Sequence, residues 1–130
     1  MAIPFEQKTL LLGIGGQRCG STWLYRYLKG HPEIWMSDLK EMHFWDEIYR
    51  PGKKPRRGGK QLANLRRDAN RPWKAARIMT IKHRMAIGTD PAKYIEFFKR
   101  ADTAVFGEVT PAYSCLPIEG LRRSRPFIPK

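Results

Sequence analysis

Apolar residues fall in short runs separated by polar and charged stretches. The first run, residues 9–14 (TLLLGI), is continuous and runs into glycine at Gly15, as a buried strand does. Gly15, Gly16 and Gly20 then break regular structure. Ser21 or Thr22 is placed to cap a helix, and Trp23, Leu24, Tyr27 and Leu28 follow at near-helical spacing. Gly30, with Pro32 behind it, predicts the helix end. Residues 34–36 (IWM) read as a second parallel strand, and the strand, helix, strand order predicts a right-handed βαβ unit. Residues 49–59 are turn-rich and charged, which predicts a loop. The next stretch, 60–87, is basic with scattered apolar positions. A helix fits 61–70, and Pro72 interrupts it or starts a second one. Asp90 before Pro91 starts another helix, with Tyr94, Ile95, Phe97 and Phe98 on its apolar face. Residues 103–109 form the third strand candidate, and 117–125 a last short helix. No internal repeat is present.

The length of 130 residues allows one domain with a modest core. No apolar run approaches a membrane span, and the first residues lack a signal-peptide apolar region. Two cysteines, Cys19 and Cys115, are too few for a disulfide framework and fit a reducing compartment, so a cytoplasmic location is expected. The net charge of +13 is concentrated: residues 50–84 hold thirteen Lys and Arg against Asp68 alone. Such a basic insertion could attract an acidic glycan, a membrane or nucleic acid, or simply be solvated. Low aromatic content in that stretch makes nucleic acid the weaker candidate. His31, His43 and His83 form no ligand cluster with the cysteines, so no metal is expected.

The candidate chemistry sits in the glycine-rich loop. A loop between strand and helix can wrap an anion with backbone N–H groups, and the helix dipole adds to the attraction. Gly15 and Gly20 enclose four residues and Ser21-Thr22 follow, close to the G-x-x-x-x-G-K-[ST] pattern. Ser21 stands where that pattern needs Lys, which argues against nucleoside triphosphate hydrolysis. The loop's cation is Arg18 instead. An ordinary tight turn is the plainer alternative.

Residues 15–25 (GGQRCGSTWLY) resemble the 5′-phosphosulfate loop of sulfotransferases that use 3′-phosphoadenosine 5′-phosphosulfate (PAPS). The similarity is greatest to the group that includes heparan sulfate sulfotransferases and bacterial counterparts. It extends to residues 31–34 (HPEI), 40–46 (KEMHFWD) and 107–113 (GEVTPAY), in the family's order. The resemblance implies an α/β, P-loop NTPase-like open parallel sheet with flanking helices. It also implies PAPS as co-substrate and a hydroxyl or amine acceptor on a small molecule or carbohydrate. Gly15, Gly16, Gln17, Arg18, Cys19, Gly20, Ser21, Thr22 and Trp23 would bind the cofactor. Arg18 would neutralise the leaving oxygen, Glu41 would be the general base, and His43 would orient Glu41 or the acceptor. Asp46, Glu108 and Thr110 would contact substrate or support the site, with Glu108 bonding the loop backbone. On the residues alone, Glu41 could instead pair with Lys40 or Arg50 at the surface.

Arg18 and Val109 stand where many members carry Lys. The Arg and Ser motif that grips the cofactor's 3′-phosphate in the family has no counterpart here. The chain therefore corresponds to the N-terminal part of such a domain, incomplete at the C-terminal side, and a fragment of this kind could be inactive. A non-enzymatic anion-binding module using residues 50–84 is the alternative.

Overall fold

The computed structural model describes residues 3–49 and 72–124. Three strands, β1 (Thr9–Gly13), β2 (Ile34–Met36) and β3 (Val105–Val109), form one open parallel sheet in the order β1-β3-β2. Thr9 pairs with Val105 and Gly13 with Val109 on one side; Ile34 pairs with Val105 on the other. Among the described residues, five α-helices flank it: α1 (Ser21–Lys29), α2 (Phe44–Tyr49), α3 (Pro72–Ile87), α4 (Pro91–Phe98) and α5 (Ile118–Ser124). The class is α/β. No helix among the described residues is long and apolar enough to cross a membrane.

Both faces of the sheet are covered, which is why its strands read as mostly apolar runs, with Glu108 the charged residue among them. Side chains alternate between the faces. Leu11, Ile34, Met36 and Val109 meet Tyr25 and Leu28 of α1. Leu10, Leu12, Trp35 and Phe106 turn the other way, towards a larger aromatic core of Phe44, Trp45, Tyr94, Phe98 and Tyr113. Phe44 and Tyr94 stack at 4.2 Å, and Phe98 lies 5.2 Å from Phe106.

Three local expectations change. The strands β1 and β2 are not neighbours, because β3 pairs with each of them and occupies the middle. The α1 N-cap is Gly20, in a left-handed conformation (φ 78°), and neither Ser21 nor Thr22 caps; Ser21 is already helical. Residues 44–49 form a helix that six residues are too few to announce by periodicity, so Tyr49 ends a helix rather than opening a loop. Pro72 starts a helix, one of the two alternatives the sequence left open, while the helix expected over 61–70 lies outside the described residues. The Asp90 cap is as expected: its carboxylate accepts from the Ala92 N–H at 2.9 Å.

Candidate functional site

The glycine loop leaves the C-terminal end of β1, the end at which open α/β sheets bind ligands. Gly20 has no side chain, so no side-chain cap covers the start of α1. The first-turn N–H groups of this nine-residue helix face outward with the positive end of its dipole. Segment 37–43 leaves β2 at the same end. Two bonds to the central strand fix it: Ser37 N–H donates to the Gly107 carbonyl and Glu41 N–H to the Val109 carbonyl, each at 2.8 Å.

These two segments meet at a cleft of about 430 Å³. Gln17, Arg18, Gly20, Ser21 and Thr22 line it from the loop side. Lys40, Glu41 and His43 line it from the other, and Pro111 and Ala112 complete it. Arg18 (φ 60°), Glu41 (φ 64°) and His43 (φ 52°) are the non-glycine residues with positive φ among the described residues. Each such residue costs on the order of 1–3 kcal/mol and persists only where its surroundings enforce it. All three belong to one cleft.

The polar groups beyond the loop form a chain. Asp46 Oδ2 accepts from His43 Nδ1 at 2.9 Å, with both side chains largely buried. That bond leaves His43 Nε2 facing Glu41 Oε2 at 3.6 Å. Glu41 Oε1 accepts from Lys40 Nζ at 3.0 Å. Burial alone would raise the Glu41 carboxyl, but the Lys40 ammonium and His43 outweigh it and hold the group below its ordinary value. Glu41 is therefore a carboxylate at neutral pH, with an imidazole behind it.

The structure separates residues that the motifs had grouped together. Gly15, Gly16 and Cys19 belong to the loop, but not to the cleft lining. The Trp23 ring stacks on Tyr27 at 5.6 Å, is 70 % exposed and lies outside the cleft lining. Asp46 holds His43, as a supporting group does. Glu108 does not bond the loop backbone. Its carboxylate is fully buried and accepts from Tyr94 Oη (2.6 Å), Tyr113 Oη (2.9 Å) and Thr110 Oγ1 (2.7 Å). The reason is strand alternation: Glu108 shares the Phe106 face, which looks into the aromatic core. Thr110 is buried too, and its N–H donates to the Gly13 carbonyl at 2.9 Å, tying β3 to the start of the loop.

Sequence reasoning missed three contributors. Tyr113 Oη accepts from the Phe44 N–H at 3.0 Å while donating to Glu108, so it fastens the start of α2 to β3. Tyr94 was legible only as an apolar helix position. Arg84 was counted among the cations of the basic stretch, yet its guanidinium is turned inward on residues 42–47. A second groove of about 600 Å³ adjoins the cleft and shares Lys40 with it. Lys29, Arg77, His83 and Arg100 line it together with Asp38, which Lys29 meets at 3.1 Å.

No protein-family model, curated protein or solved structure matches this chain.

Proposed function

We propose that the chain is a sulfotransferase-type domain that transfers a sulfuryl group from PAPS to a hydroxyl or amine, on a P-loop NTPase-like frame. The observation that carries the reading is the shared cleft. It joins an uncapped helix start and Arg18 to a carboxylate backed by an imidazole, with Arg18, Glu41 and His43 at strained backbone positions. The loop and the first turn of α1 would hold the 5′-phosphosulfate by backbone N–H groups, with the Ser21 and Thr22 hydroxyls beside them. Glu41 would accept the acceptor's proton as its oxygen or nitrogen forms a bond to sulfur. The bond from sulfur to the bridging phosphate oxygen breaks, and Arg18 would neutralise the charge left on adenosine 3′,5′-bisphosphate. His43, held by Asp46, would orient Glu41. The second groove, with its excess of basic groups, gives a carbohydrate acceptor carrying acidic groups a place to lie.

Calorimetric titration with adenosine 3′,5′-bisphosphate, followed by a transfer assay with PAPS, tests this reading. Binding by the folded chain is expected to be lost in Arg18→Ala and Thr22→Ala. Glu41→Gln is expected to retain binding and lose transfer by about 10²–10⁴-fold, the usual worth of a general base. Unchanged turnover in Glu41→Gln removes the base assignment. Failure of the folded chain to bind the bisphosphate removes the cofactor assignment. Salt-steep polyanion binding that survives both loop variants would favour a non-enzymatic module acting through residues 50–84.

A further inference from the structure

We infer that Arg84 is a positioning residue for the cleft: its guanidinium pins the backbone of Met42 and His43 in the left-handed turn that carries Glu41 and His43. The inference rests on the functional reading above only for its consequence on transfer.

Left-handed non-glycine residues need external restraint. On the Glu41 side, the Val109 carbonyl supplies it. On the His43 side, the restraint comes from Arg84, on a different helix. Its Nε donates to the Met42 carbonyl and its Nη2 to the His43 carbonyl at 3.0 Å. The guanidinium is itself held: Nη1 donates to the Gly88 carbonyl at 3.0 Å, and Nη2 meets the Glu47 carboxylate at 3.1 Å. It also lies 5.8 Å from the centre of the Phe44 ring.

All three guanidinium nitrogens are thus engaged, and both members of the Arg84–Glu47 pair are only 12 % exposed. Arg84 lines neither the cleft nor the second groove. It is not a cation displayed for a polyanion. Its planar fork reaches two successive carbonyls of the strained turn and one at the end of its own helix. A Lys ammonium offers the same charge from a single nitrogen and cannot span them. Arg84 therefore fixes the frame on which His43 faces Glu41, without touching a reacting atom.

The test compares Arg84→Met and Arg84→Lys with the unmodified chain. Methionine keeps an apolar stem against the Phe44 ring. The first readout is the His43 ring cross-peak in heteronuclear NMR, identified by its disappearance in His43→Gln. The second is kcat for transfer at saturating PAPS, beside bisphosphate affinity by calorimetry. Both variants are expected to displace the His43 peak and to lower kcat by about 10- to 100-fold, with bisphosphate affinity held within about threefold. An unmoved His43 peak in a folded Arg84→Met protein overturns the inference. So does a Lys variant that matches the unmodified chain, since charge alone would then suffice. Should Arg84→Met fail to fold, Glu47→Ala removes the acceptor that anchors the guanidinium and leaves the carbonyl contacts in place. It is expected to move the same peak in the same direction by less, and no movement overturns the inference. If the unmodified chain neither binds the bisphosphate nor transfers, the sulfotransferase reading fails, and the His43 peak still decides the role of Arg84.

Discussion

Two carboxyl groups in this molecule are pushed in opposite directions by their surroundings, and each direction has a measurable consequence. Glu108 is buried among aromatic rings, and burial raises its carboxyl above the ordinary value despite the hydroxyls of Tyr94, Thr110 and Tyr113. A carboxyl raised on folding binds its proton more tightly in the native state than in the unfolded chain. Its stabilisation is complete below the ordinary carboxylate range and is lost as pH rises through the folded value. The melting temperature of the native chain minus that of Glu108→Gln should therefore fall from pH 4 to pH 7. A signed difference that rises would mean that the hydroxyls outweigh burial. Glu41 is lowered, so under the proposed chemistry the acid limb of kcat/KM should fall below the ordinary carboxylate range. Lys40→Met removes the ammonium at 3.0 Å, leaves the burial, and should move that limb to higher pH. Arg18, Glu41 and His43 were legible in sequence because the motif spacing put them after strands. Arg84 was not, since a folded-in arginine looks the same in sequence as its solvated neighbours Arg77 and Lys82. Nor could the sequence show that Glu108 would turn towards Tyr94 and Tyr113, because that depends on which sheet face each strand residue takes.

At the scale of elements, the join between β1 and β3 is the most exacting. A Cβ on Gly107 would lie 2.0 Å from the Leu11 carbonyl oxygen and 3.1 Å from the Leu11 Cβ. Backbone cannot yield as a flexible side chain does, so Gly107→Ala must push the two strands apart. The expected loss is about 1–3 kcal/mol or more, read as a lower urea midpoint. A midpoint within error of the unmodified chain would show that the sheet accommodates the methyl group. The strands themselves were legible, since burial on both faces leaves runs that are apolar but for Thr9 and Glu108. The helix α4 was legible because Asp90 and Pro91 chemically mark its start. The strand order was not. Nothing local in β1 or β2 reveals that a segment some seventy residues after β2 will lie between them.

At the scale of the whole molecule, the cleft is a product of that strand order. The glycine loop follows β1, the Glu41 segment follows β2, and Pro111 and Ala112 follow β3. The three come together only because all strands run the same way and end on the same side. The middle strand is also the last of the three in the chain, and that has a consequence for how the protein is made. Until Val105 to Val109 have left the ribosome, β1 and β2 have no partner with which to form a sheet. At about 5–20 residues per second, a finished β1 waits on the order of 5–20 s for its neighbour. Arrested nascent chains that expose residues 1–104 outside the exit tunnel should be digested by protease throughout, whereas those exposing residues 1–124 should be protected. Protection appearing at the shorter length would mean that the first strand finds another shelter while it waits. Assembly is thus gated by translation, and the glycine loop gains its neighbouring segments only once β3 has been made.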